Sequence, residues 1–498
     1  MLVVTIDTAR LDYDIHSLIK AFYPEKTVKV VSPDTDAEKA VALEQEASIC
    51  ITLKDSKPSL IIYEDNKALK HVFYPTNEQT ILKADGSLDK NHIKAFVYQA
   101  LESFTGKSLP WGNLTGIRPT KIAMGMLEQG KTDEEIEMFM KDMHFVSDEK
   151  VKLSIDIAHR EKDLLSPLHI KDGYSLYIGI PFCPTTCLYC SFTSYPICAY
   201  EKLVEDYIDC VCKEMDFVAN AYKDKHLDTV YIGGGTPTTL TAKQLDRLIT
   251  HLENTFDLSA VLEFTVEAGR ADSITLDKLQ VLNKHKVTRI SVNPQTMKDE
   301  TLRLIGRRHT VEQVKTAYAM AREVGFDNIN MDIILGLPGE SEADVNNTIE
   351  EIKELAPDSL TVHSLAIKRA SKLRNWIEEN GIACLHNTDK TMEIAAAGAK
   401  AMGMDPYYLY RQKNMSGNFE NVGYAEPGKY GIYNILIMEE MQTIMALGAG
   451  SISKIVLPDG RIERADNVKD VKLYIEKINE MLERKQELFD MEKHDTNC

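Results

Sequence analysis

Three cysteines, Cys183, Cys187 and Cys190, stand at C-x3-C-x2-C spacing in "GIPFCPTTCLYC", residues 179–190. The chain holds nine cysteines in 498 residues, and random scattering would place such a triplet in roughly 0.003 of chains of this kind. Three soft thiolates on one short loop suit zinc or an iron–sulfur cluster. Zinc closes its tetrahedron with a fourth ligand, and no further Cys or His follows in the loop, so a zinc site needs a distant fourth donor. A cubane of four irons held by three cysteines instead leaves one iron to be chelated by a small molecule. The other cysteines, Cys50, Cys198, Cys210, Cys212, Cys384 and Cys498, read as small buried or surface residues. Nine cysteines in a large chain are not a disulfide framework.

The loop follows the first of six strand-like segments: "SLYIGI" (175–180), "DTVYI" (228–232), "LEFTVE" (262–267), "RISVN" (289–293), "INMDIIL" (329–335) and "LTVHSLAI" (360–367). A helix-sized gap follows each strand, with capping-box pairs at Thr241/Gln244 and Thr310/Gln313 and a cap at Ser341. Strand and helix in alternation predict a parallel sheet with helices outside, and right-handed crossovers bring all the strands' C-terminal ends to one rim. That rim gathers the cysteine loop, "GGGTP" (233–237), Glu267, Gln295, Asp332 and His363, as active sites of such barrels do. Six strands predict a partial (β/α)6 barrel, open on one side.

Ahead of the barrel, "LVVTI", "KVVS", "SICITL" and a hairpin "SLIIYEDNKALKHVFY" turning at Asp65-Asn66 read as strands, followed by a helix from His92 and two between Pro119 and His144. The expected organisation is an N-terminal α+β domain at 1–165, the barrel at 166–370 and a C-terminal α/β extension at 371–498. The extension carries a hairpin at Pro458-Asp459-Gly460 and a helix bearing Val471, Ile475, Ile478 and Leu482.

Net charge −18 argues against a nucleic-acid binder, because phosphate contacts need a basic face. The N-terminus lacks a basic leader, and no apolar run approaches the length of a membrane span. The expectation is a cytoplasmic protein.

The order "YIGIPFCPTTCLYCSF", "IGGGTPT", "FTVEAGR", "RISVNPQT", "LIGRRHT", "NMDIILGLPGES" resembles the radical S-adenosylmethionine (SAM) superfamily, and within it the oxygen-independent coproporphyrinogen III dehydrogenases. The flanking "LPWGNLTGIRPTK" (109–121) and "YYLYRQKNMSGNFENVGYAEPGKYGIYN" (407–434) resemble the HemZ-type branch. The resemblance implies a [4Fe–4S] cluster on Cys183, Cys187 and Cys190. It implies SAM contacts from Tyr177, Gly234, Gly235, Thr236, Glu267, Gln295, Arg307 and Asp332, with Tyr177 and Gln295 beside the reacting groups. A glycine run after a strand lets backbone approach a charged ligand, a carboxylate suits vicinal hydroxyls and a guanidinium suits a carboxylate. His363 reads equally as a core histidine.

The implied reaction is reductive SAM cleavage, hydrogen abstraction from the β-carbon of a propionate, and loss of carbon dioxide and an electron. Two rounds give protoporphyrinogen IX, with flavodoxin or ferredoxin as electron donor. A tetra-anionic substrate needs local cations: Arg118, Lys121, Lys368, Arg369, Arg411 and Lys413, the last two beside the aromatic run "YYLYRQKN". Three positions depart from the dehydrogenase pattern: Phe192 stands where a further cysteine would, Gly179 replaces a histidine, and Asn293-Pro294 precedes Gln295. The alternatives are a haem chaperone of the same family or a haem-modifying radical methylase.

Overall fold

The computed structural model describes residues 1–32, 47–54, 57–64, 68–75, 81–83, 85–116, 118–368, 371–381, 385–411 and 419–496. The turn at Asp65-Asn66, Cys384, Cys498, Arg369 and Lys413 lie outside these. The chain divides into two compact units, 1–159 with 411–419, and 160–410 with 420–498.

Unit 1 is built on five strands, β1 (Leu2–Ile6), β2 (Val28–Val31), β3 (Ile49–Thr52), β4 (Ser59–Glu64) and β5 (Leu69–Phe73), in the order β2-β1-β3-β4-β5. The first three are parallel and β4 and β5 add antiparallel. Helices Asp12–Phe22 and Lys90–Thr105 bury Ile15, Leu18, Phe22, Ile93, Phe96 and Val97 in one core with the strands' apolar residues. Helices Thr120–Glu128 and Asp133–His144 follow. The acidic start of the second is explained locally: Thr132 and Glu135 form a capping box, and carboxylates favour a helix N-terminus.

Unit 2 contains β6 (Gly173–Ile180), two short strands β7 (Phe182–Cys183) and β8 (Tyr195–Pro196), then β9 (His226–Gly234), β10 (Glu263–Gly269), β11 (Arg289–Val292), β12 (Ile329–Leu335) and β13 (Ser359–Ser364). Strands β6, β9, β10, β11, β12 and β13 pair in that order, all parallel. The six expected strands are therefore the six of the barrel wall, each displaced by three residues at most. The expected caps are present as full capping boxes at Thr241/Gln244, Thr310/Gln313 and Ser341/Asp344.

The stretch 371–498, read from sequence as a separate region, extends the same sheet. On one side β15 (Asn421–Ala425) pairs antiparallel to β13, and β14 (Asp405–Tyr410) to β15. On the other, β16 (Thr443–Leu447) pairs parallel to β6, followed by the antiparallel β17 (Ile452–Val456) and β18 (Ile462–Asp466). The result is an eleven-stranded sheet with β14 and β18 at its edges. The wall continues past six strands because "TIMALG" repeats the buried apolar pattern of a parallel strand.

Strand alternation sorts the wall. Leu176, Ile178, Val230, Ile232, Phe264, Val266, Ile290 and Val292 are buried apolar positions. The intervening positions are polar and bond across strands: Thr229 donates to Ser175 Oγ (2.8 Å), Ser359 and Thr361 donate to Asn330 Oδ1 (3.1 and 3.2 Å), and Arg289 donates to Ser359 (3.0 Å). One face of the wall is thus apolar and the other is a hydrogen-bonded polar surface, the sequence signature of a barrel that holds a polar ligand.

Beside the rim, Glu214 on helix Val204–Ala221 receives hydrogen bonds from Lys485 (2.6 Å), Asn467 (2.8 Å), Tyr474 (2.5 Å) and the Gly448 N–H (2.7 Å). Lys485 is 1% exposed and Glu214 fully buried. Removing one partner strands the other charge, so Lys485→Met is expected to lower stability by about 3–5 kcal/mol, read by chemical denaturation. Among the described residues no helix is long and apolar enough to cross a membrane.

Candidate active site at the cysteine loop

The cysteine loop runs from the end of β6 through β7. Cys183 and Cys187 are buried and Cys190 half-buried. Burial pushes the Cys183 thiol up to about 11 and raises Cys190 as well, with the neighbouring cysteines adding to both. The three sulfurs therefore share one electrostatic environment, and negative charge there needs compensation.

Much of it comes from Arg270, a residue that spacing alone did not single out. Its guanidinium is 3% exposed and grips Asp272 through two bonds, Nε to Oδ1 at 2.9 Å and Nη2 to Oδ2 at 2.6 Å. Nη1 donates to Thr185 O (3.0 Å) and Thr185 Oγ1 (2.7 Å) and lies 3.9 Å from Cys187 Sγ. Arg307, also buried, donates to Asn293 O (2.6 Å) and Tyr189 Oη (3.3 Å) and feels Cys187 as well. Cys187 thus faces two guanidiniums, while Cys183 meets Thr236 Oγ1 (3.5 Å) and Cys190 meets Ser194 Oγ (4.0 Å). The missed signal was the last residue of "FTVEAGR", an arginine two positions before an aspartate.

The loop is braced from three further sides. Leu188 N–H donates to Ile305 O (2.9 Å), Leu373 N–H to Leu188 O (2.9 Å), and Tyr195 N–H to Pro181 O (2.8 Å). The glycine run packs the second rim loop onto it. Gly235 and Thr236 N–H groups donate to Ile180 O and Phe182 O, both at 2.8 Å, and a Cβ at Gly235 would stand 2.6 Å from Phe182 O. The backbone that these glycines bring close is the cysteine loop's own. Gly179 has a similar reason: a side chain there would sit 3.2 Å from Leu447 O, at the end of β16.

Inside the wall, Tyr177 and Tyr231 stack with Tyr433 from helix Ile432–Glu439 at centroid distances of 6.2 and 4.4 Å. Tyr231 donates to Glu267, which also accepts from the Gly234 N–H at 3.2 Å. Burial pushes the Glu267 carboxyl up to about 7; these hydrogen bonds oppose the rise and the nearby Asp332 adds to it. Asp332 accepts from Asn330 at 2.7 Å and faces His363 at 3.8 Å, whose other nitrogen lies 3.4 Å from Tyr410 Oη. Burial opposes the Asp332 carboxylate, yet His363, Asn330 and Thr361 hold it below the usual range. Gln295 has φ +68°, a left-handed conformation that a non-glycine residue keeps only when its surroundings enforce it. Here its N–H donates to Asp332 O and its carbonyl accepts from Ile334 N–H, both at 2.9 Å.

Of the expected residues, the structure therefore brings Cys183, Cys187, Cys190, Thr236 and Arg307 into one loop assembly, with Glu267, Asp332, Gln295 and Tyr177 on the polar wall. The expected substrate cations divide differently. Lys121 is exposed on helix Thr120–Glu128, Lys368 is half-buried in unit 2, and Arg118 and Arg411 belong to unit 1. The aromatic run is not an open surface, because Tyr407 and Tyr408 are buried in a core with Ile435 and Leu436 and the Tyr408 ring covers Gly423. Phe192, by contrast, is 76% exposed.

The residues fit the two groups that the resemblance implied. Three thiolates, two facing guanidiniums and no further sulfur ligand in the loop match a [4Fe–4S] cluster held at three corners. Among the described residues no three Cys, His, Asp or Glu side chains converge on a single metal ion. On the wall, Ser291 Oγ, Asn293 Oδ1, Gln295 Oε1 and Arg307 Nε are buried without hydrogen-bond partners, a deficit that a polar ligand satisfies.

A family model described as the Radical SAM superfamily matches residues 177–352. The chain is 43% identical to the oxygen-independent coproporphyrinogen-III oxidase-like protein HemZ of Bacillus subtilis over 401 residues, 80% of each chain. It is 31% identical to the heme chaperone HemW of the same organism over 307 residues, 61% of this chain and 76% of that one. Among solved structures, the Escherichia coli coproporphyrinogen III oxidase HemN, a radical SAM enzyme, matches with a TM-score of 0.50 and 24% identity, covering 65% of this chain and 73% of that one. The chain belongs to the radical SAM superfamily, whose cofactors are a [4Fe–4S] cluster and SAM, and within it to the family of the coproporphyrinogen-III oxidase-like protein HemZ.

Proposed function

We propose that the protein is an oxygen-independent coproporphyrinogen III dehydrogenase that converts two propionates to vinyl groups. The observation that carries this reading is identity to an oxidase-like relative over 80% of the chain, well beyond the barrel. Each propionate gives up a hydrogen atom from its β-carbon; the bond to the carboxylate then breaks, releasing carbon dioxide and passing one electron to a one-electron acceptor. The cluster and SAM together supply the hydrogen-abstracting chemistry. A flavodoxin or ferredoxin supplies the electron that starts each round.

The chain's own residues position and exclude. Cys183, Cys187 and Cys190 hold the cluster. Arg307 would pair with the methionine carboxylate of SAM, Gly234, Gly235 and Thr236 would line its methionine end, and Glu267 and Asp332 would accept from its ribose hydroxyls. Gln295 and Tyr177 fix its orientation in a site whose tyrosine stack keeps water out. The stretch 371–498 lines and covers the substrate.

A carboxylate on a ribose diol works best ionised. Because Glu267 ionises as pH rises through about 7, SAM affinity is expected to fall about tenfold from pH 8 to pH 6. Glu267→Gln is expected to bind weakly and without that slope, as read by calorimetry on the anaerobically reconstituted protein.

Phe192, standing where a dehydrogenase has a further cysteine, and the 31% identity to a heme chaperone favour the second reading, in which the protein captures and delivers haem. Incubation of the reconstituted protein with coproporphyrinogen III, SAM and a reductant under anaerobic conditions separates the two. Vinyl product with carbon dioxide supports the dehydrogenase. Stoichiometric haem capture without carbon dioxide supports the chaperone.

A further inference from the structure

We propose that Glu340, acting through Thr296 and Thr348, is a positioning residue that holds Gln295 in the backbone conformation its place beside SAM requires. The inference rests on the SAM contact proposed above for Gln295. It holds equally whether the protein turns over a tetrapyrrole or delivers one.

Among the described residues, five that are not glycine have positive φ: Phe145, Lys286, Gln295, Ala356 and Glu440. Phe145, Ala356 and Glu440 cap helix C-termini, and Lys286 lies two residues past the end of helix Leu276–Lys284. The left-handed conformation is ordinary at such ends. Gln295 instead follows strand β11, where no helix end calls for the turn. Strained non-glycine backbone persists where its surroundings over-determine it, and it concentrates at ligand sites. Gln295 Oε1 is also buried without a hydrogen-bond partner, so the turn presents an unsatisfied acceptor on the polar wall.

The residues that fix the turn follow it directly. Thr296 Oγ1 donates to Glu340 Oε1 at 2.5 Å and lies 3.4 Å from Thr348 Oγ1, which accepts from the Met297 N–H at 3.1 Å. A hydroxyl has one proton to give. Thr296 gives its proton to Glu340, so Thr348 donates to Thr296, and the chain of bonds that starts at Met297 N–H ends on the Glu340 carboxyl oxygen. Glu340, Thr296 and Thr348 are all buried. Lys298 Nζ adds a tie to Asp344 Oδ1 at 2.9 Å. On the other flank, Asn293 N–H donates to Gly269 O at 2.7 Å and Asn293 O accepts from Arg307 at 2.6 Å. Residues 293–298 are thus held at both ends, and Gln295 takes up the turn between. Helix Glu342–Leu355, which carries Thr348 and Asp344, is a firm support: Ser341 and Asp344 close its N-terminus, and Val345, Ile349 and Ile352 are buried. Gln295, Ile333, Glu340 and Thr348 line one narrow crevice, so the bonded chain and the glutamine are neighbours in space. Burial raises the Glu340 carboxyl, and Thr296 and Thr301 oppose the rise. A buried carboxyl is destabilising unless bonded, so its use here is the acceptor it supplies rather than the volume it fills.

The test is SAM affinity, measured by calorimetry on the anaerobically reconstituted full-length chain, with iron content as the control. Glu340→Ala is expected to bind SAM about tenfold more weakly with iron content unchanged. Glu340→Gln keeps an oxygen that accepts from Thr296 and should bind within about twofold of the wild type. Gln295→Ala should itself lose about tenfold, the effect of leaving a polar partner unmatched. Because Glu340 acts through Gln295, adding Glu340→Ala to Gln295→Ala should weaken binding no further, whereas independent losses would multiply. Thr296→Val removes the donor, keeps the shape and should reproduce Glu340→Ala, which covers a Glu340→Ala chain that folds poorly. Wild-type affinity in Thr296→Val, failure of Glu340→Gln to restore binding, or multiplied losses in the double variant overturns the proposal while leaving Gln295 beside SAM. Wild-type affinity in Gln295→Ala instead removes Gln295 from the SAM site and overturns the proposal with it.

Discussion

Cys187→Ser is expected to yield a folded protein with little or no cluster and SAM cleavage reduced by more than about 100-fold, the loss typical of merely disturbing residues behind the ligands. The serine hydroxyl is a hard, weakly acidic replacement for a thiol that ionises to a soft thiolate. It also removes the atom on which Arg270 and Arg307 converge, so two buried guanidiniums lose their shared anionic focus. Iron and sulfide content after anaerobic reconstitution, with the paramagnetic signal of the reduced cluster, measures the effect. Cys212→Ala supplies the control: Cys212 is equally buried, on helix Val204–Ala221, and its loss should leave iron content unchanged. Wild-type iron loading in Cys187→Ser would remove this residue from the ligand set.

Arg270→Met is expected to act almost as strongly from one step further away. The arginine ties the Asp272 carboxylate, the Thr185 carbonyl and the Cys187 sulfur together through one planar group. Burial opposes the Asp272 charge, yet His309, 3.7 Å away, and the hydrogen bonds from Arg270 hold its carboxyl well below the usual carboxylate range. Removing Arg270 leaves that charge stranded, which costs about 3–5 kcal/mol. Cluster affinity should fall by about 10–100-fold. Arg270→Lys should not rescue it, because an ammonium lacks the fork that reaches three partners at once. The double variant Arg270→Met with Asp272→Asn separates the two effects: stability should recover while the midpoint potential and iron retention do not. Full recovery of cluster binding in the double variant would reduce Arg270 to a packing role.

The barrel wall was legible because its determinants are local. Runs such as "DTVYI" and "INMDIIL" alternate buried apolar residues with polar ones, and the capping boxes at Thr241, Thr310 and Ser341 depend on neighbours three positions away. The cysteine loop was legible for the same reason. What escaped depends on residues far apart in sequence. Arg270 meets Cys187 across 83 positions, and β16 joins β6 although about 270 positions separate Thr443 from Tyr174, a pairing that only the folded topology selects. The aromatic run at 407–410 suited a macrocycle and a packed core equally, because period-two alternation does not reveal which side is covered. Gly423, opposite Tyr408, was the clue, since only a residue without a side chain leaves room for that ring.

The two ends of the eleven-stranded sheet bear on how the chain survives before iron reaches it. A newly made polypeptide must present its wall with strand edges that other chains can pair with, and long flat apolar edges nucleate aggregates. β18, "IERAD", places Glu463, Arg464 and Asp466 along one margin. β14 opens with Asp405 and Pro406, and its pairing slips between Pro406 and Tyr408. Charge at one end and a kinked, donor-poor start at the other make each margin a poor template, so the metal-free chain can wait for its cofactor without polymerising.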